Sequence, residues 1–266
     1  MTRIVNNCVA LVCLCLFWGQ SLRAADASHS EQIKWGNESV FNEEHNTLGL
    51  FSGVLGGQIV LAGGTSDDYS RWGRNAVCLS ENAGFALYED VLSKPLAYGA
   101  SITLSDGILC IGGRDSSQCY EDVFFVTMQQ GKLNVSEDWP PLPFPLSNAA
   151  GALLDNKVYL FGGRKSVSPS RLSDSFFVLD LSNKSRGWKE LPGYPGCVRE
   201  DAILVVQNNG VSPCLYLLGG QTETEEGLSS CLTDGYVYNP QLGKWSSLGS
   251  DFPKGICAAV ASGANH

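Results

Sequence analysis

Arg199, Glu200 and Asp201 stand side by side at the start of the run DAILVV, and Arg114 and Arg164 each directly follow a glycine pair. Tyr98 precedes a similar small-residue run, GASITL. A guanidinium can hold a carboxylate through two parallel hydrogen bonds. A positioned carboxylate or phenol can move protons as acid and base, which contributes roughly 10²–10⁴-fold to a rate. These groups can act together only if the fold brings their loops to one place, so the elements around them decide what they can do.

The glycine pairs recur. IVLAGG ends at Gly64, ILCIGG at Gly113, VYLFGG at Gly163 and LYLLGG at Gly220, with the insertion QNNGVSPC explaining the longest interval. A period of about fifty residues is that of kelch-type propeller blades. Trp139, Trp188 and Trp245 follow three of the pairs at a similar offset. Within each period a small-residue strand (FSGVL, GASITL, AGALL, DAILVV and, last, CAAVA) precedes a turn and an apolar strand that runs into the glycines. A variable loop, an aromatic or branched strand (DVFFVT, SFFVLDL, GYVYNP) and a short fourth strand come next. Alternation, β-branched and aromatic content and the turns SDG, DNK and NNG all indicate strands. The expected fold is therefore all-β, a propeller of four-stranded antiparallel blades, with glycine needed where neighbouring backbones leave no room for a Cβ.

In such a blade the residues just before each innermost strand and just after each glycine pair lie on one face, around one mouth of the central channel. That places Tyr98, Asn148, Arg199, Glu200 and Asp201 together with Arg114, Asp115, Arg164 and Lys165. The acidic run ETEE, Glu223 to Glu226, reads as a solvated loop.

Four glycine pairs mark four complete blades. Trp35 suits the outer strand of a closing blade, and CAAVA is an inner strand with nothing after it. The chain thus divides into a signal peptide (1–25), an N-terminal segment with that outer strand (26–47), and propeller blades (48–266) that stop before the ring is complete. An open propeller of this kind is expected to be unstable or to self-associate.

The signal peptide is read from Arg3, the apolar run Cys8 to Trp18 and the small residues Ala24 to Ala27, too short a run for a membrane span. A mature chain without a membrane span, periplasmic or secreted, is expected. Losing residues 1–25 removes two arginines and no carboxylates, taking the net charge from -9 to about -11. So acidic a protein lacks the basic footprint that nucleic acid needs. Seven cysteines remain after residue 25 with no CxxC spacing, which argues against zinc. One or two disulfides are possible on export, for instance from Cys110 or Cys119 to a neighbour. Only His29, His45 and His266 could supply imidazole, so copper oxidase chemistry has little to work with.

LAYGASITLSDGILCIGG, followed by WPPLPFPLSNAAGALLDNKVYLFGG, resembles the N-acetylneuraminate epimerase (sialic acid mutarotase) family in the circularly permuted form of its six-bladed kelch propeller. The resemblance runs from about Gly49 to the end, and AYGAS with the proline-rich linker is its most specific part. It implies an exported enzyme that interconverts the α and β anomers of free N-acetylneuraminate without metal or cofactor. Under that reading Arg114, Arg164 and Arg199 are the candidates for the substrate carboxylate, and Glu200 and Tyr98 for acid and base. Two departures stand out. GGTSDDYSRWGRNAV replaces the family's asparagine-phenylalanine-proline segment, with Trp72 as the one possible counterpart. The family's acid-base glutamate and its arginine are expected in the blade after Cys257, beyond residue 266. The alternative function is therefore a propeller that binds a glycan or protein without catalysis, or an inactive family member.

Overall fold

The structure is a computed structural model that describes residues 48–80, 84–224 and 227–262. The expected signal peptide, the Trp35 strand and all three histidines lie outside the described residues.

Four antiparallel sheets of four strands each form successive propeller blades. The first holds β1 (Phe51–Leu55), β2 (Gln58–Ala62), β3 (Ala76–Ser80) and β4 (Gly84–Tyr88). The second holds β5 (Ala100–Thr103), β6 (Ile108–Ile111), β7 (Val123–Gln129) and β8 (Lys132–Ser136). In the third, β9 (Ala150–Leu154) and β10 (Lys157–Phe161) are followed by a small hairpin of β11 (Arg164–Ser166) and β12 (Arg171–Leu172), then by β13 (Phe176–Asp180) and β14 (Lys189–Glu190). The fourth repeats that plan with β15 (Ile203–Asn208), β16 (Pro213–Leu218), the hairpin β17 (Gln221–Glu223) and β18 (Ser229–Cys231), then β19 (Gly235–Asn239) and β20 (Lys244–Ser247). The small-residue strands are innermost: β5 lies against β1 and β9, and β9 against β15. Small side chains are what four converging edges can accommodate.

The core lies between blades rather than within them. Phe51, Val60, Ile108 and Phe124 fill the first gap, Leu109, Phe125, Leu160 and Phe177 the second, and Phe161, Phe176, Leu215 and Tyr238 the third. A middle strand is therefore covered on both faces, and β6 is buried at every position, losing the alternation of a one-sided strand. Trp245 sits in the third gap against Phe161, Phe176, Tyr194 and Tyr238.

The glycine pairs have a specific cause. A Cβ on Gly63, Gly112, Gly162 or Gly219 would lie 2.3, 2.2, 2.5 or 2.1 Å from the carbonyl oxygen of Leu96, Leu146, Arg199 or Ile256 respectively, each in the loop leading to the next blade. The second glycine donates its N–H to that same carbonyl, at 2.8 Å for Gly64, 2.8 Å for Gly113, 2.9 Å for Gly163 and 2.7 Å for Gly220. The pair is thus the joint between blades.

Two expectations need correction. CAAVA (257–261) forms no strand, because none of the described residues offers it a second strand to pair with. Among the described residues the disulfide joins Cys231 to Cys257, whereas Cys110 and Cys119 are free and buried. Cys110 lies on β6 within the apolar core of the first gap, and the Cys119 thiol meets the Ser147 hydroxyl at 3.4 Å.

Candidate functional site

Each lead-in loop bends at one residue with positive φ: Gly49 (64°), Tyr98 (60°), Asn148 (55°), Asp201 (51°) and Ala258 (49°). The N–H of each donates to the carbonyl of the one before it, from Tyr98 to Gly49 (2.7 Å), Asn148 to Tyr98 (2.7 Å), Asp201 to Asn148 (3.0 Å) and Ala258 to Asp201 (3.0 Å). This chain of bonds links the five lead-in loops in sequence at the ends of the innermost strands. The residue before each bend pairs with the residue after the next glycine pair, that of its own blade, as in Ala97 with Arg114, Ser147 with Arg164 and Glu200 with Gln221. The two sets of loops expected to share a face are therefore joined by backbone bonds.

On one side of this mouth, the Arg114 guanidinium lies over the rings of Tyr98 (4.7 Å) and Trp72 (5.1 Å). Its Nη1 donates to the Asp115 carbonyl at 3.3 Å, and among the described residues it makes no ion pair. Two aromatic faces attract the charge without neutralising it. Tyr98 can take this place because its ring lies over Gly49, where a Cβ would meet it at 2.8 Å. Burial, and next the Tyr69 hydroxyl that its own O–H meets at 3.4 Å, push the Tyr98 phenol well above its ordinary range.

The loop carrying Tyr69 and Trp72 is held in shape from within. Asp68 Oδ1 accepts from Ser66 Oγ (2.6 Å), Ser70 Oγ (2.7 Å) and Ser70 N (3.0 Å), which lowers its carboxyl to about 2. The Trp72 indole N–H donates to the Tyr69 carbonyl at 3.1 Å, so the indole orientation is set before anything binds. Asp115 is likewise engaged, accepting from Tyr120 Oη at 2.6 Å and from Ser117 N at 2.7 Å.

On the other side, Arg164 grips Glu200 with Nε to Oε2 at 2.8 Å and Nη2 to Oε1 at 2.5 Å, and reaches Glu223 at 3.3 Å. Glu200 is 4% exposed, so both of its oxygens are committed under cover. Asp201 differs: it is half-buried, accepting from Asn148 Nδ2 (2.9 Å) and Gln221 Nε2 (2.9 Å). Burial pushes its carboxyl up, and the adjacent Glu200 adds to this against the two amides and Arg164. Lys165 turns away onto the Phe144 ring at 4.2 Å.

Arg199 stands apart from the mouth. Its guanidinium is fully buried and bonded to Asp234 Oδ1 (2.7 Å) and Oδ2 (2.8 Å), to the Gly219 carbonyl (2.7 Å) and to Tyr194 Oη (2.8 Å). Its carbonyl receives the Gly163 N–H just as those of Leu96 and Leu146 receive Gly64 and Gly113, so it occupies their inter-blade position. The structure thus brings Tyr98 and Arg114 together, and Arg164 with Glu200, but puts Arg199 into the core. Tyr69, Gln221 and the central place of Asp201 were not singled out from sequence, and Trp72 was named only as a counterpart of the family's segment, without a role at the mouth. Aligning the copies on their glycine pairs exposes the Asp201 and Arg199 positions; the loop of Tyr69 and Trp72 has no counterpart to align.

Residues 139–266 match the profile of a protein family described as N-acetylneuraminate epimerase. N-acetylneuraminate epimerase of Yersinia pestis (strain Pestoides F) is 30% identical over 129 residues, 48% of this chain and 30% of that protein. The Haemophilus influenzae (strain PittEE) protein of the same name is 31% identical over 131 residues, 49% of this chain and 32% of its own. A kelch domain-containing protein of Vibrio cholerae is 31% identical over 121 residues, 45% of this chain and 31% of its own. The matched region therefore spans about a third of each relative's length. Among solved structures, that of YjhT superposes with a TM-score of 0.63 at 14% identity, over 80% of this chain and 73% of the other, a likeness of fold. Arg164, Glu200 and Asp201 fall inside the family match, whereas Trp72, Tyr98 and Arg114 precede it.

Proposed function

Through residues 139–266 the chain belongs to the N-acetylneuraminate epimerase family, and on that premise we propose that it speeds interconversion of the α and β anomers of free N-acetylneuraminate by acid-base catalysis at the propeller mouth. The observation that carries this reading is the Arg114 guanidinium, which has aromatic neighbours and no carboxylate among the described residues. Of the three arginines considered, Arg164 and Arg199 already hold Glu200 and Asp234.

N-acetylneuraminate carries its carboxylate on the anomeric carbon. A guanidinium that binds this carboxylate bidentately fixes the anomeric hydroxyl and the ring oxygen near the groups beside it. Tyr98 is one such group, its ring 4.7 Å from the guanidinium, and its raised phenol stays protonated at neutral pH. Mutarotation breaks the bond from the anomeric carbon to the ring oxygen, forms a carbonyl, and recloses on the other face. One proton leaves the anomeric hydroxyl and one reaches the ring oxygen, so an acid and a base are all the chemistry requires and no cofactor is invoked. Arg3 and the apolar run behind it support action in the periplasm or outside the cell.

A binding protein without catalysis is the second reading, favoured by the complete engagement of Glu200 with Arg164. Proton NMR of freshly released α-N-acetylneuraminate separates the two. Faster decay of the α signals with the chain, lost in Arg114→Gln, supports the mutarotase. Saturable binding with an unchanged decay rate supports the binder.

A further inference from the structure

The two carboxylates at the mouth are neighbours in sequence and opposites in setting. Glu200 gives both oxygens to a guanidinium, whereas each Asp201 oxygen accepts one neutral amide hydrogen and keeps a lone pair. Asp201 is also the acidic member of the chain of positive-φ residues, one link from Asn148 and two from Tyr98. Tyr98 in turn touches Arg114, and Asp201 is near enough to raise the Tyr98 phenol further.

We infer that Asp201, and not Glu200, is the carboxyl group that exchanges protons with the sugar in the proposed mutarotation, an assignment that rests on the mutarotase reading. The two oxygens of a carboxyl group hang on one carbon, as do the hydroxyl and ring oxygens of the anomeric centre. A protonated Asp201 gives its proton to the ring oxygen through one oxygen while the other takes the proton of the anomeric hydroxyl. The bond to the ring oxygen breaks, the carbonyl forms, and Asp201 ends with one proton as it began. Reclosure on the opposite face runs the same exchange in reverse. The step uses a neutral acid, the form favoured by burial beside Glu200 and opposed by Arg164, Asn148 and Gln221. The Tyr98 phenol, held neutral chiefly by burial, is the other titratable group that Asp201 influences.

The test follows α-anomer decay by NMR across pH, with the protein-free rate subtracted at each pH, for the full chain and three variants checked for folding by near-ultraviolet circular dichroism. The wild-type rate is expected to fall as pH rises through one midpoint, and Asp201→Asn to lose roughly 10²-fold or more. Two variants leave Asp201 in place and read its titration. Asn148→Ala removes a bond to the charged form and should move the midpoint up. Glu200→Gln removes the adjacent negative charge and should move it down. Opposite shifts establish Asp201 as the titrating group. An active wild type with an unimpaired Asp201→Asn, or with midpoints that neither neighbour moves, overturns the assignment and leaves the mutarotase reading standing. A folded wild type with no acceleration at any pH ends both.

Discussion

Arg199 and Asp234 form a two-pronged ion pair, 2.7 and 2.8 Å long, at a position where two earlier blades carry Leu96 and Leu146. The guanidinium is fully buried, while the Asp234 side chain keeps 28% of its surface in water. The pair therefore ties β19 to the lead-in loop of its own blade from inside the inter-blade gap.

Replacing Arg199 with Leu restores the apolar residue of the other blades but strands Asp234 and the Gly219 carbonyl. Breaking a buried pair on one side costs about 3–5 kcal/mol, and the partial exposure of Asp234 puts Arg199→Leu near the lower end of that range. Adding Asp234→Asn, the residue that blade one carries there as Asn75, should recover most of the loss. Urea unfolding of both variants measures the difference.

Acid should weaken the fold through specific carboxylates. Burial alone would raise Asp234, but the Arg199 guanidinium outweighs it and holds the group low. In Asp115 the Tyr120 hydroxyl and the Ser117 bonds likewise overcome burial and bring it to about 2. A group held lower in the folded chain stabilises fully above its unfolded value and loses that contribution as pH falls through its folded value. Melting temperature should thus drop between about pH 4 and pH 2, and less steeply in Asp115→Asn. Asp201 has the opposite sign, its raised carboxyl favouring the fold on the acid side.

Cys119 pairs with the first residue after its glycine pair, as Cys231 does, and its Sγ lies 3.4 Å from Ser147 Oγ. Ser147 follows Leu146 just as Cys257 follows Ile256, the residues whose carbonyls receive Gly113 and Gly220. With Cys119, Ser147→Cys should therefore oxidise under an added oxidant to a second inter-blade disulfide, seen as a mass loss of two hydrogen atoms. It should add about 2–4 kcal/mol under non-reducing conditions.

Gly112 and Gly131 both have positive φ, 63° and 73°, yet only Gly112 has a carbonyl where its Cβ would be. Gly131→Ala should cost about 1–2 kcal/mol, the backbone term alone. Gly112→Ala must also push the Leu146 carbonyl away and should exceed about 3 kcal/mol by the same unfolding measurement.

If Trp72 steadies the Arg114 guanidinium for an anionic ligand, Trp72→Ala should weaken N-acetylneuraminate binding by about 3–30-fold, in line with a partly desolvated cation–aromatic contact. Arg114→Gln should weaken it more, having removed the charge itself. Titration followed by NMR gives both constants.

Blade architecture was legible because its signals are steric: a glycine pair set against a carbonyl tolerates nothing else, and it repeats. The site was legible by loop but not by side chain. Arg199 and Arg114 are the same residue type in loops expected at the same mouth, yet one is saturated in the core and the other lies over two rings. What separates them is the column each occupies, an inter-blade leucine position for Arg199 and the post-glycine position for Arg114. Glu200 and Asp201 invert the same way, since one residue of offset turns a side chain from the hairpin pairing to the central bend. Cys257 escaped because its partner is 26 residues away on a hairpin whose length differs from those of the other blades.

The bonds from Tyr98 to Gly49, Asn148 to Tyr98, Asp201 to Asn148 and Ala258 to Asp201 involve main-chain atoms alone. Spacing at the centre is accordingly held by peptide groups that every residue except proline possesses. The five positions behave as sockets in a fixed frame, and here they hold nothing, a phenol, an amide, a carboxyl and a methyl. Their chemistry can be exchanged, within the residues that tolerate a left-handed bend, without moving the scaffold that presents it.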